Sequence, residues 1–160
     1  MEPNTLKDNG DAGKATHSGQ YTTFFVDGLC FGVDVLTVQE VLRPQATTRV
    51  PLAPDVVKGL INLRGQIVTA VDMRRRLGLK PRAQADGASM NIVVRTDEEA
   101  VSLLVDEIGD VLQVEAARFE RRPNNIDAQV RDLIQGVYKL EDRLLLVLDT
   151  NRTVARATSD

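Results

Sequence analysis

From Gln20 onward, apolar residues recur in short alternating runs separated by turn residues, a pattern that predicts brief strands rather than long helices. Tyr21-Thr22-Thr23-Phe24-Phe25-Val26, the dipeptide Asp27-Gly28, and Leu29-Cys30-Phe31-Gly32-Val33 read as a hairpin. A short helix is expected from Leu36 to Leu42. Thr47 to Val50 reads as a short strand stopped by Pro51, because proline cannot donate to a ladder. A helical turn near Asp55-Val56-Val57 then leads to Gly59. Leu60, Ile61 and Leu63 run into Arg64-Gly65, and Ile67, Val68, Ala70 and Val71 run out, which predicts a second hairpin with a charged side chain at its turn. Asp72 is placed to cap a helix with Met73 and Leu77 facing inward, ended by Gly78 and Pro81. Pro81 to Ala88 is a polar connector. Met1 to Gly19 holds almost nothing apolar and reads as a flexible tail, since it cannot offset its own ordering entropy.

The second half repeats the first. Gly59 to Asp72 aligns without a gap to Gly136 to Asp149, and both stretches end in an aspartate able to cap a helix. Upstream, the Phe24 to Val33 hairpin and Leu36 to Val41 have counterparts in Ile92 to Val94, Val101 to Val105, and Ile108 to Val111. This order predicts two similar β units of five or so short strands each. A continuous β sandwich and a chance likeness of apolar hairpins are the alternatives the pattern leaves open. The turns differ: Arg64-Gly65 in the first unit stands against Glu141-Asp142 in the second, so the units present opposite charge.

Composition narrows the function. The chain has 160 residues, 42% of them hydrophobic, enough for a packed core. No apolar run approaches the roughly 20 residues of a membrane span, and the N-terminus lacks the apolar centre of a signal peptide, so a cytoplasmic protein without membrane insertion is expected. A net charge of −3 and only 4% aromatic residues supply neither half of nucleic-acid binding. Arg74-Arg75-Arg76 is expected mostly to decorate a solvated helix face. His17 and Cys30 are the single histidine and cysteine, which leaves no histidine triad or common zinc set, and Cys30 reads as a buried inert thiol. The acids are accounted for locally, Asp72 and Asp149 as caps, Asp27 and Asp142 as turn residues. No catalysis, metal or cofactor is expected; small β barrels with exposed edges suit a binding module.

One family resemblance is specific. Pro51, Pro54, Lys58-Gly59, Ile61-Asn62-Leu63-Arg64-Gly65 and Asp72-Met73-Arg74 resemble the signature of CheW, the chemotaxis coupling family. The likeness extends to Phe31-Gly32-Val33-Asp34-Val35, Val38-Gln39-Glu40-Val41, Val105-Asp106 and Asp110-Val111, so it covers most of the chain. It implies two similar five-stranded SH3-like barrels packed over a shared hydrophobic core, with short helices, in one domain spanning residues 20–157. It implies a non-catalytic adaptor between the cytoplasmic tips of methyl-accepting chemoreceptors and a CheA-type histidine kinase, recruited to membrane-associated receptor arrays. By the same resemblance, receptor contacts fall on Val35, Val38, Glu40, Gly59, Asn62, Arg64 and Gly65, and kinase contacts on Val101, Leu103, Val105, Val111 and Val114. Departures are mild: Met73 where leucine is usual, the three successive arginines, and the long polar tail. Arg64 also admits a reading as an internal ion-pair partner of Glu40, and Gly59 as a helix C-cap or a site of close strand approach. The functional alternatives are a nucleic-acid-binding β barrel and an isolated regulatory domain of a kinase.

Overall fold

The computed structural model describes residues 19–83 and 87–158. The expected tail before Gly19 therefore lies outside the described residues, as does part of the Pro81 to Ala88 connector. Both hairpins form as their turns dictate. Strands β1 (Gln20–Val26) and β2 (Leu29–Asp34) meet at Asp27-Gly28, with φ of 49° and 82°. Strands β4 (Val57–Leu63) and β5 (Gln66–Asp72) meet at Arg64-Gly65, with φ of 52° and 91°. Two consecutive positive φ values match the right-handed twist of the flanking strands, and the first, near 50° in both turns, lies in the left-handed region that a non-glycine residue can enter. Helix α1 (Met73–Arg76) follows β5, and the Asp72 carboxylate accepts the Arg75 N–H at 3.3 Å.

Two local expectations are corrected. Leu36 to Leu42 is not a helix: a 3-10 turn at Val35–Thr37 leads directly into strand β3 (Val38–Leu42). Its pairing partner is distant in sequence, β6 (Met90–Arg95), and that ladder overrides a local helical pattern. Near Asp55-Val56 the chain makes only a turn, closed by the Val57 N–H on the Pro54 carbonyl at 2.9 Å, before β4 begins. The Thr47 to Val50 strand contracts to a single bridge between Thr48 and Leu60.

The second half adds β7 (Ala100–Val105), β8 (Glu107–Gln113), β9 (Phe119–Glu120), α2 (Ala128–Arg131), β10 (Ile134–Lys139), β11 (Leu144–Leu148) and α3 (Thr150–Thr158). Asp149 caps α3, accepting the Arg152 N–H at 3.0 Å. The strands form two sheets, ordered β8-β1-β2-β11-β10-β9 and β3-β6-β7-β5-β4. Each sheet takes its leading hairpin from one half of the chain and its remaining strands from the other. Strand β2 runs parallel to β11 in the first sheet, and β7 runs parallel to β5 in the second, so the two exchanges are the same.

The repeat extends to irregularities. Register slips between Val57 and Gly59 in β4 and between Ile134 and Gly136 in β10, at glycines that the repeat aligns. A Cβ on Gly59 would strike the Thr48 carbonyl, and one on Gly136 would strike the Phe119 ring and the Glu120 carbonyl. Both glycines therefore admit a crossing segment. The Thr48 bridge is the first-unit counterpart of β9, and the sheets differ in strand number only because one crossing is longer.

A shared core lies between the sheets and draws Phe24, Phe31, Val71, Met73, Ile92, Leu103, Val137 and Leu146 from both halves. Each barrel also has its own smaller interior: Ile61, Leu63, Val68 and Val93 in the five-stranded one, and Tyr21, Cys30, Tyr138 and Leu145 in the six-stranded one.

Asp106 is the single residue between β7 in one sheet and β8 in the other. Its carboxylate accepts Arg74 Nη2 at 2.6 Å, Arg82 Nη1 at 2.6 Å and the Asp27 N–H at 2.7 Å, tying the strand crossing to α1, the connector and the β1–β2 turn. Arg74 is thus not on a solvated face; its side chain is 10% exposed. Arg76 is also buried and donates to the Thr153 carbonyl of α3 at 2.7 Å, leaving Arg75 as the solvated member of the triplet. Burial alone raises the Asp106 carboxyl, but hydrogen bonds from Arg74 and the Asp27 amide, with the charges of Arg74 and Arg82, outweigh it and hold it below its ordinary value.

Gly59→Ala and Gly136→Ala should each lower unfolding free energy by about 1–3 kcal/mol in urea titrations, because in both the crossing segment must shift. Because the folded Asp106 carboxyl is depressed, its contribution is present above the ordinary carboxylate range and is lost as pH falls through the folded pKa. Asp106→Asn should cost about 3 kcal/mol at neutral pH by removing the nearer counter-charge of buried Arg74 and leaving only Asp27, at 3.8 Å. It should also flatten the loss of stability below about pH 4, followed by thermal melts across the acid range.

Candidate functional site

The Arg64 turn stands at the end of a two-strand ladder whose inner positions, Ile61, Leu63, Val68 and Ala70, fill the five-stranded barrel. The side chain of Asn62 closes the turn from within, its Oδ1 accepting the Gly65 N–H at 2.8 Å. Arg64 Nη2 donates to Glu40 Oε2 on β3. Strands β3 and β4 are the two edges of their sheet, so this ion pair reaches from the turn next to one edge to the other. The Arg64 side chain is 72% exposed and that of Glu40 is 22% exposed. An ion pair so open to water contributes little to stability; its effect is to aim a guanidinium whose other donors face solvent.

The expected receptor residues divide on this geometry. Glu40, Asn62, Arg64 and Gly65 come together at the turn. Val35 and Val38 are half-buried, and Val38 packs against the shared core. Gly59 is buried, and the space beside it is filled by the backbone of Thr48, so its role is the close strand approach. Apolar side chains that sequence reasoning passed over are exposed on the same elements: Leu36 in the 3-10 turn, Val41 on β3 and Ile67 on β5. Alternation along the second hairpin could have found Ile67, since Val68 and Ala70 point inward and Ile67 pairs with exposed Asn62.

The expected kinase residues are corrected in part. Val101, Leu103 and Val105 are fully buried in the shared core, because the inward face of β7 packs between the two sheets. They are core residues, not contacts. Val111 is 57% exposed on the edge strand β8. Val114 is half-buried and packs on the six-stranded barrel's interior. Cys30 is buried in that interior, and burial pushes its thiol above the ordinary value despite the nearby Arg143. Among the described residues no group of three or more histidine, cysteine or acidic side chains could hold a metal, and no helix is long and apolar enough to cross a membrane.

Two SH3-like barrels exchanging hairpins across a common core, with an arginine displayed on a braced turn, define a class of paired-barrel domain. The chain belongs to the CheW-like domain family, whose model matches residues 20–158. It is 32% identical over 136 residues to the chemotaxis protein CheW of Bacillus subtilis, covering 85% of this chain and 86% of that protein. It is 29% identical over 125 residues to the chemotaxis protein CheW of Klebsiella aerogenes, covering 78% and 75%. The crystal structure of the scaffolding protein TtCheW from Thermoanaerobacter tengcongensis superposes with a TM-score of 0.73 at 26% identity, over 81% of this chain and 88% of that one. These relatives give no support to the nucleic-acid or kinase-fragment alternatives.

Because the Arg64 ion pair is exposed, Arg64→Ala should change unfolding free energy by about 1 kcal/mol or less in urea titrations. A larger loss would mean that the arginine serves the fold rather than the surface.

Proposed function

We propose that this protein is a non-catalytic adaptor that couples methyl-accepting chemoreceptors to a CheA-type histidine kinase. The observation that carries this reading is the Arg64 turn on a CheW-like paired barrel: an exposed guanidinium, aimed by Glu40 and braced by Asn62, with Leu36, Val41 and Ile67 exposed elsewhere on the same barrel's elements. Such a surface suits a helical partner that offers carbonyls or polar side chains to the planar fork and apolar positions to its surroundings. In this role Arg64 anchors the receptor's cytoplasmic tip, with Glu40, Asn62 and Gly65 holding it in place. Val35 and Val38 support the same face from beneath. Val111, exposed on the edge strand β8, is the kinase-facing residue we carry forward.

The chain does no chemistry in this account. Its effect is to hold receptor and kinase in fixed relation, so that the receptor's state shifts the kinase between populations. Recruitment of residues 20–157 to membrane-associated receptor arrays follows from the receptor contact.

The test is direct binding of the purified chain and its Arg64→Ala variant to a soluble receptor signalling-tip fragment and, separately, to a CheA-type kinase. The variant should lose about 2 kcal/mol of receptor affinity, roughly 30-fold, while binding the kinase as the parent does. Equal receptor binding by both chains would remove Arg64 from the interface. Binding of neither partner by the parent would remove the coupling role.

A further inference from the structure

A concavity lies on the six-stranded sheet, on a different barrel from the Arg64 turn. It is a cleft of about 540 Å³ between the segment following β9, strand β10 and the first turn of α3. Its apolar lining is Phe119 and Tyr138, whose ring centroids are 5.1 Å apart, with buried Ile134. Its polar lining is dominated by Arg121, Arg122 and Arg152.

These arginines are not neutralised by the protein. Arg121 and Arg122 have no hydrogen bond or ion pair among the described residues. Arg152 donates from Nη1 to the Asp132 carbonyl at 3.1 Å, which positions the guanidinium without cancelling its charge. Of the acids flanking this segment, Glu120 pairs with Lys139 at 3.7 Å and Glu115 with Arg118 at 3.9 Å. Asp149, the one acid lining the cleft, accepts the Arg152 N–H at 3.0 Å as the cap of α3. On a chain of net charge −3, three cations against one carboxylate is a local reversal of sign. Arg122 is also held at a φ of 28°, a conformation that non-glycine residues rarely adopt and that concentrates at binding sites.

We propose that this cleft binds a small phosphate-bearing molecule with a flat body, of the nucleotide class. Guanidinium forks pair with phosphoryl oxygens in two-point contacts, and an anion relieves the mutual repulsion of three like charges around one cavity. Phe119, the half-exposed ring of the pair, offers the face for the flat body, and buried Tyr138, tilted 54° to it, backs that ring. The cleft volume lies within the roughly 300–1,000 Å³ typical of small-molecule sites.

The test is calorimetric titration of the full chain with AMP, inorganic pyrophosphate and adenosine, repeated on the Arg121→Gln/Arg122→Gln variant. Both arginines are exposed, so the variant should keep the parent's melting temperature, which is checked first. AMP should bind saturably, be displaced by pyrophosphate, exceed adenosine by about tenfold or more, and weaken by about tenfold or more in the variant. No saturable binding of AMP, or equal binding by parent and variant, would overturn the site. Pyrophosphate binding as tightly as AMP would overturn the assignment of the flat body to the aromatic lining. Receptor binding by this variant should equal that of the parent, which separates this result from that of the Arg64 test.

Discussion

Neither half of this chain can complete a sheet by itself. The β1–β2 hairpin reaches its parallel neighbour only in β11, and β7 reaches its own only in β5, so each sheet is completed only by strands from the other half. Parallel pairing of this kind demands long-range chain closure, and its reward is a core that belongs to both barrels at once. Phe24 and Phe31, stacked at 5.7 Å, lie in that core beside residues of β5, β6, β7, β10 and β11. A cavity made there weakens two sheets together, which favours a single cooperative transition over independent melting of two domains.

The exchange also determines how firmly the Arg64 turn is held. Its hairpin is fixed on one side by β7 from the other half and on the other by the bridge to Thr48, while Glu40 comes from the opposite edge. The guanidinium is therefore exposed but carried by backbone that cannot move alone. Pre-organisation of this kind lowers the ordering cost of binding, which suits an adaptor whose contribution is position.

The three consecutive arginines after Asp72 show how strongly the fold differentiates neighbours. Arg74 is drawn inward to the Asp106 carboxylate, Arg76 to the carbonyls of α3, and Arg75 remains in water near Asp72. A buried arginine is tolerated only where its donors and charge are met, and here both buried members meet partners more than thirty residues away or on another helix. The aspartate that makes this possible stands where the chain passes between sheets. Asp34 occupies the corresponding crossing in the first unit, where its Oδ1 accepts the Leu36 N–H at 2.9 Å.

What the sequence determined by itself is whatever neighbours within a few residues decide. Asp27-Gly28 and Arg64-Gly65 specify their turns, Asp72 and Asp149 cap their helices, and the gapless match of residues 59–72 to 136–149 announces two like units. Family motifs were legible for the same reason, since the turn that displays Arg64 is a local structure. Tertiary structure alone decided the rest. Strand exchange cannot be read from alternation, because an inward-facing residue looks the same whichever sheet covers it. Leu36 to Leu42 became a turn and a strand because β6 lay beside it, and Val101, Leu103 and Val105 were assigned to the core by a second sheet that no local pattern reveals. Burial of Arg74 rests on Asp106, a partner 32 residues away that no local pattern supplies.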